Sequence, residues 1–281
     1  MIIKQILNNN VVISENDNNE EIVVMGRGIA FGAKKGQEIP DDKIQKIFTN
    51  EKNCDFNHFT QLISEIDLDN FEFIEDLINY AKVTLGKKLN NSIYITLTDH
   101  INTLIERSQV NAYVKNTMLW DIKRIYRDEF RVSRQMVSKI NEKLASELDD
   151  NEAASITMHI VNAELETNMK TAVDITKTMT DILNIVKYHF KIVYDEESLA
   201  YYRFVTHLLF FTQRVFNGKT YTEDKETELF EIVKTKYSEM YKCTLSIKEF
   251  LHKEYDYELE DEECLYLTIH IAKVVRESRS L

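Results

Sequence analysis

The glycine-rich segment Met25–Gly32, with the sequence MGRGIAFG, decides how this chain is organised. It contains three of the six glycines in 281 residues, and Gly36 and the only proline, Pro40, follow directly. Glycine tolerates positive φ and allows other groups to approach the backbone closely. Two interpretations fit: an ordinary hairpin turn that places Phe31 in a core, or a small binding surface. The Arg27 guanidinium and the Phe31 ring suit a ligand that is anionic and can stack, such as single-stranded or distorted RNA.

The distribution of glycine and proline divides the chain into two parts. Residues 1–40 hold four glycines and the proline, and only two glycines occur in the remainder. A long segment nearly free of both residues and rich in Leu, Ile, Glu and Lys is typical of helices. The sequence therefore predicts a small antiparallel β domain followed by two duplicated all-α helical-bundle domains. The predicted boundaries are 1–56 for the β domain, 57–66 for a linker, and 67–170 and 171–281 for the helical domains.

Four short segments bounded by Asn and Gly predict a four-stranded meander within the β domain. These segments are Ile2–Leu7, Val11–Ser14, Glu21–Met25 and Ile29–Phe31. Pro40 is then predicted to open a short helix that carries Ile44, Ile47 and Phe48. Because a domain this small buries little surface by itself, we expect two copies to pair sheet against sheet as a homodimer.

Charge and cysteine content restrict the possible functions. The formal net charge is −12, which argues against a general nucleic-acid coat, so any RNA site must be small and local. Cys54, Cys243 and Cys264 have no CxxC spacing, which argues against disulfides and zinc and fits a reducing cytosol. No signal peptide or apolar run of ~18 residues is found, so we expect a cytoplasmic chain without membrane insertion, cofactor or metal.

The helical part contains an internal repeat of domain size. The segment around His159, ITMHI, recurs around His270 as LTIHI at an offset of 111 residues, and His100 matches His207 at an offset of 107. About five helices are expected in each copy, the last of which begins at acidic residues that suit a helix N-terminus. The expected helices lie near 70–87, 92–110, 114–129, 133–147 and 151–165, and near 172–191, 196–216, 223–242, 244–255 and 260–278.

Four of the seven histidines occupy equivalent positions in the repeat: His100, His159, His207 and His270. A metal site is disfavoured because HxxxH and HExxH spacings are absent. Acid–base catalysis lacks a convincing partner, since Asp99 beside His100 is too little. Phosphorylation needs only an accessible ring nitrogen and adds roughly −2 charge. We therefore predict four phosphorylation sites and no catalytic residue. Three histidines are assigned to structure or surface: His58, His189 and His252.

Several motifs distributed over the whole chain carry a family resemblance. They are NNN at 8–10, VVMGRGIAF at 23–31, LGKKLN at 85–90, LTDHIN at 97–102, HIVNAEL at 159–165, VKYHFK at 186–191, YYRFVTH at 201–207 and LYLTIHI at 265–271. With these motifs the chain resembles the BglG/SacY/LicT family of bacterial transcriptional antiterminators. Gln5 and Gly32 depart from residues that are frequent in the family, and both departures bear on RNA affinity or choice.

The resemblance implies a function for each part of the chain. The N-terminal domain is expected to bind, as a dimer, an antiterminator hairpin in nascent leader mRNA and so prevent terminator formation. The implied RNA-contacting positions are Asn8, Asn10, Gly26, Arg27, Gly28 and Phe31. The helical domains resemble PTS regulation domains, which control antitermination in response to a sugar, here expected to be a β-glucoside. The implied protein is a regulator and not an enzyme.

The resemblance also implies opposite roles for the two histidine pairs. His100 and His159 would be phosphorylated by the EIIB component of a sugar permease, which inhibits. His207 and His270 would be phosphorylated by HPr, which activates by stabilising the dimer. Two alternatives from other classes remain. A DNA-binding regulator is disfavoured because strands, and no helix-turn-helix, precede the helical domains, and a phosphocarrier would pass its phosphate to a second protein.

Overall fold

The computed structural model describes all of the chain apart from residues 17, 50–55, 110–111, 113, 218–226 and 280–281. For residues 56, 58, 109, 227 and 228 it describes the backbone but not the side chain. The chain forms two compact units. The first comprises 1–119 and 126–166, and the second comprises 120–125 and 167–281. The predicted order, a four-stranded antiparallel sheet followed by helices, is confirmed.

The sheet runs in the order β1-β2-β3-β4 with antiparallel neighbours. Its strands are β1 (Gln5–Asn8), β2 (Val11–Glu15), β3 (Glu21–Met25) and β4 (Lys46–Thr49). Side chains of a strand point alternately to the two faces. Val12 and Val24 face a core that the residues around the glycine-rich segment complete, among them Ile3, Ile29 and Ile39. One face of the sheet is therefore covered by its own loop.

The predicted fourth strand at Ile29–Phe31 is wrong, as is the predicted helix after Pro40. Gly28 and Gly32 have φ of +63° and +72°, and the Phe31 N–H donates to the Gly28 carbonyl oxygen over 3.2 Å. These consecutive turns prevent an extended conformation. Only a 3-10 turn forms at Asp41–Lys43, and the chain then continues as β4 along β3.

Helices cover the other face of the sheet. Phe48 on β4 packs edge to face against Phe59 and Phe71, with ring centroids 5.0 and 5.8 Å apart. Phe59 belongs to α1 (Phe56–Glu65), so the segment predicted as a linker is largely helical and contributes buried side chains. The side chain of His58 lies outside the described residues. The first unit is therefore packed continuously from the sheet through α1 and α2.

Ten further helices form the two copies of the repeat in the described part of the chain. They are α2 (Leu68–Leu85), α3 (Ile93–Gln109), α4 (Leu119–Ile125), α5 (Arg127–Leu144), α6 (Asp150–Leu165), α7 (Met169–Phe190), α8 (Leu199–Asn217), α9 (Thr227–Lys236), α10 (Ser238–Tyr255) and α11 (Asp261–Ser278). The expected acids at the start of the last helix of each copy are confirmed. Asp149 accepts a hydrogen bond from the Asn151 N–H, and Glu260 forms a capping box with Glu263.

Two predicted helices, near 114–129 and 223–242, are divided at equivalent tyrosines. Tyr126 and Tyr237 have φ/ψ of −111°/58° and −118°/42°, so each interrupts the helix, and α5 and α10 begin directly after them. The start of the predicted 223–242 helix lies outside the described residues. The pattern of apolar residues continues across both tyrosines, which is why the sequence did not reveal the breaks.

Equivalent packing inside the copies supports the repeat. The Thr157 hydroxyl donates to the Ser133 hydroxyl over 3.0 Å, and Thr244 and Thr268 share a bond of 2.9 Å at the matching positions. All four are buried, so each pair satisfies polar groups within a helical core. Among the residues that the structure describes, no helix has the length and apolarity required to cross a membrane.

Candidate functional site

The Gly-Arg-Gly turn is built by close backbone packing. A Cβ at Gly26 would collide with the carbonyl oxygen of Lys43, so the position accepts only glycine without a shift. The Gly28 N–H donates to the Asn10 side-chain oxygen over 2.8 Å, and the Gly26 N–H donates to the Asn10 carbonyl over 2.9 Å. Gly26, Gly28 and Asn10 therefore set the shape of the turn. Their backbone places Arg27 at its tip.

Phe31 lies on the surface instead of in the core. Its side chain is 78% exposed, whereas the neighbouring Ile29 and Ala30 are buried. The interpretation of an ordinary turn with a core Phe31 is therefore wrong. An exposed ring beside a glycine turn is available for stacking on a flat ligand.

Asn8 and Arg27 lie on the same side of the unit as the first helices. The Asn8 amide donates to the Ser64 carbonyl at the end of α1 over 3.1 Å. Arg27 contacts the Asp69 carboxylate of α2 over 2.6 Å. The six predicted RNA-contacting positions thus fall on the turn, on Phe31 after it, and on the β1–β2 connection beside it. Gly26 is buried, whereas the other five positions are at least partly exposed.

The first histidine pair is held by a buried carboxylate. His100 on α3 and His159 on α6 have ring centroids 4.7 Å apart. The His100 Nε2 donates to the Glu152 carboxylate over 2.5 Å, and Glu152 also faces Arg107. Burial, with a smaller contribution from His100, lowers the pKa of His159 to about 3. Its Nδ1 is buried and has no hydrogen-bond partner among the described residues, so His159 is neutral at physiological pH.

The second pair has different neighbours. His207 on α8 and His270 on α11 have ring centroids 4.1 Å apart, and the Tyr266 hydroxyl lies 2.6 Å from the His207 Nδ1. Burial lowers the pKa of both imidazoles, that of His270 to about 4. Lys273 lowers both pKa values further, and Arg203 that of His207. Basic side chains therefore contribute to the electrostatic environment of the second pair.

Glu152 and Glu263 occupy equivalent positions in the repeat, at the same offset of 111 residues as His159 and His270. Glu263 accepts a hydrogen bond from the Tyr257 hydroxyl over 2.9 Å and lies 3.8 Å from Arg214. Arg107 and Arg214 also match at an offset of 107 residues. The acid and the arginine each recur at the offset of the neighbouring histidine of the repeat, and this recurrence is the sequence signal by which the acid–arginine pairs could have been found.

The basic residues at the second site have neutral counterparts at the first. With the same offsets, Arg203 corresponds to Thr96 and Lys273 to Asn162. Both sites thus contain an acid–arginine pair, and the second has two further basic residues, Arg203 and Lys273, where the first has Thr96 and Asn162. This difference in charge is the main chemical contrast between the two helical domains. The predicted structural or surface role of His252 agrees with its exposed side chain, whose Nδ1 lies 2.9 Å from the Glu258 carboxylate.

Comparison with known proteins agrees with this division of the chain. Residues 1–56 match the CAT RNA binding domain, and residues 75–163 and 180–274 match the PRD domain. Transcription antiterminator LicT of Bacillus subtilis is 46% identical over 99% of this chain and 100% of its own. The Beta-glucoside operon antiterminator of Dickeya chrysanthemi is 38% identical over 99% and 98%.

A solved structure, the crystal structure of GlcT CAT-PRDI, is 32% identical and covers 58% of this chain and 97% of its own, with a TM-score of 0.48. The family matches, the full-length relatives and the observed order of domains lead to one assignment. The chain belongs to the LicT/BglG-type transcription antiterminators, which join an RNA-binding CAT domain to two PRD domains.

Proposed function

We propose that the N-terminal surface binds an antiterminator hairpin in nascent leader mRNA and prevents terminator formation. The exposed Phe31 ring carries this proposal, because the fold provides no packing reason for an aromatic residue at that place. Arg27 supplies a guanidinium for phosphate or guanine. Asn8 and Asn10 lie beside the turn, and the partly exposed Gly28 has no side chain to keep RNA from its backbone. A homodimer would place two such surfaces on one hairpin.

We further propose that the four repeat histidines receive phosphate from the sugar phosphotransferase system. EIIB would phosphorylate His100 and His159, and HPr would phosphorylate His207 and His270. The name of the Dickeya relative supports a β-glucoside as the controlling sugar. Each imidazole pair lies between two packed helices, where a dianion changes the local charge strongly.

The neighbours of each pair supply a physical reason for opposite outcomes. A phosphate on His100 or His159 would stand beside the buried Glu152 carboxylate and would repel it. A phosphate on His207 or His270 would instead be attracted by Lys273 and Arg203. We therefore expect phosphorylation to destabilise the first domain at its histidine pair. In the second domain we expect it to stabilise the dimer.

RNA binding of the full chain tests the output. The protein, with and without phosphorylation by HPr, is titrated with a short imperfect RNA hairpin, a perfect RNA duplex and the same hairpin as DNA. Salt is kept near the physiological value because phosphate contacts depend on it. Selective binding to the RNA hairpin that is lost in Arg27→Ala supports the proposal. A folded protein that binds none of the three contradicts it.

A swap between the repeats tests the control mechanism. Arg203→Thr together with Lys273→Asn gives the second site the neutral residues of the first. We expect HPr-dependent dimerisation, measured by sedimentation, to decrease because the phosphate loses its cationic partners. The matched control is Lys234→Thr with Lys242→Asn, which removes two cations of the same unit elsewhere. An equal effect of both variants would contradict the role of local charge.

A further inference from the structure

We propose that the acidic N-terminal half of α2 is a docking surface for the Gly-Arg-Gly turn and competes with RNA for Arg27. This inference rests on the proposed function, because it assumes that Arg27 contacts RNA. It concerns a contact inside one compact unit, between the β domain and the first helices of the same chain.

Two carboxylates meet the tip of the turn. The Arg27 guanidinium lies 2.6 Å from an oxygen of Asp69 and 3.4 Å from an oxygen of Glu72. Asp69 and Glu72 are one helical turn apart, so they present their oxygens on one side of α2. A guanidinium that binds carboxylates in this way uses the same donors with which it binds a phosphate group.

Further contacts hold the same surfaces together. The Asn8 amide donates to the carbonyls of Ser64 and Ile63 at the end of α1, over 3.1 and 3.4 Å. Lys46 on β4 forms an ion pair with Glu75, the next acid along α2. Phe48 on β4 inserts between aromatic rings of the first helices. Two of the predicted RNA-contacting side chains, Asn8 and Arg27, are therefore engaged by helices.

The docking contact and RNA exclude each other at Arg27. An RNA phosphate within hydrogen-bond distance of the guanidinium would also lie next to the Asp69 and Glu72 carboxylates, and these would repel it. Both acids are solvent-exposed, and the pairs are correspondingly weak. The contact therefore reduces RNA affinity without abolishing it.

The test compares RNA affinity of full-length, unphosphorylated proteins. Asp69→Asn with Glu72→Gln removes both carboxylates and keeps their size. We expect it to bind the RNA hairpin about three- to tenfold more tightly than the unchanged protein. The difference should shrink as salt rises, because salt screens exposed ion pairs. The matched control is Glu231→Gln with Glu239→Gln, which removes two exposed, lysine-paired carboxylates from the second unit. Equal tightening in the control would overturn the proposal.

A second readout does not require RNA. Modification of Arg27 by phenylglyoxal, followed by mass spectrometry, should be faster in the Asp69→Asn, Glu72→Gln protein. Exposed Arg131, which pairs with Asp128, serves as the internal reference. Unchanged Arg27 modification would show that the contact does not exist, and faster modification without tighter RNA binding would show that it does not compete. If no protein binds the hairpin, the RNA function itself fails and the competition with it, while the modification rate still reports the contact.

Discussion

Replacing Phe31 by alanine should separate RNA binding from stability. The ring is 78% exposed, so its removal creates no cavity and little buried apolar area is lost. A surface change of this kind alters the free energy of unfolding by less than about 0.5 kcal/mol. Stacking of one base on an aromatic ring contributes about 1–3 kcal/mol. Phe31→Ala should therefore weaken RNA binding about 5- to 150-fold and leave the unfolding transition almost unchanged.

The assay combines fluorescence anisotropy of a labelled RNA hairpin with urea unfolding of the same preparation. Ile29→Ala is the contrasting variant, because Ile29 is 2% exposed and its truncation should cost about 2–5 kcal/mol of stability. Phe31→Trp should retain most of the affinity, since stacking needs an aromatic surface and not a particular ring. Undiminished RNA affinity of a folded Phe31→Ala protein would refute the stacking argument.

Three further predictions concern stability and reactivity. Gly26→Ala should destabilise the protein by about 1–3 kcal/mol in urea unfolding, because its methyl group meets the Lys43 carbonyl, whereas Gly36→Ala, in open space but at positive φ, should cost less. The pKa of His159 is lowered to about 3 in the folded state, whereas it is about 6.5 in the unfolded state. The free energy of unfolding is therefore unaffected by this group above pH 6.5 and decreases below that pH, because only the unfolded state binds the proton. The loss due to His159 should reach about 3 kcal/mol by pH 4.5, so His159→Gln should lose correspondingly less stability than the unchanged protein over this range; an identical loss in both would contradict the assignment. Burial raises the pKa of Cys243 and Cys264 to about 12, so both thiols should resist iodoacetamide at pH 8 until the protein unfolds, as followed by mass spectrometry.

Patterns that are local in sequence predicted much of this protein correctly. The change in glycine and proline content divides a sheet from helices, and the repeat places two histidines in each helical copy. The pairing of these histidines in space follows from the repeat, because equivalent helices pack in the same way in both copies. The motifs of the glycine turn and of the histidine segments were sufficient to indicate the family.

Pairing partners that are distant in sequence could not be predicted in this way. Strand β4 pairs with β3 across more than twenty residues. Ile44, Ile47 and Phe48 have the i, i+3, i+4 spacing of a helical face, so the local pattern favoured a short helix. The breaks at Tyr126 and Tyr237 have no glycine or proline to mark them. Whether such a segment forms a strand, continues a helix or interrupts it depends on the surface against which it packs, and intrinsic propensity predicts this only weakly.

The sequence by itself determined the order of domains, the glycines that shape the Gly-Arg-Gly turn, and the identity of the paired histidines. These features depend on backbone sterics and on repetition, which act over a few residues or copy a whole unit. The tertiary structure alone decided that Phe31 is exposed, that Glu152 bonds to His100 while Glu263 bonds to Tyr257, and that Arg27 meets Asp69. Each of these depends on which distant side chains share one environment, and charge and burial act through space and not along the chain.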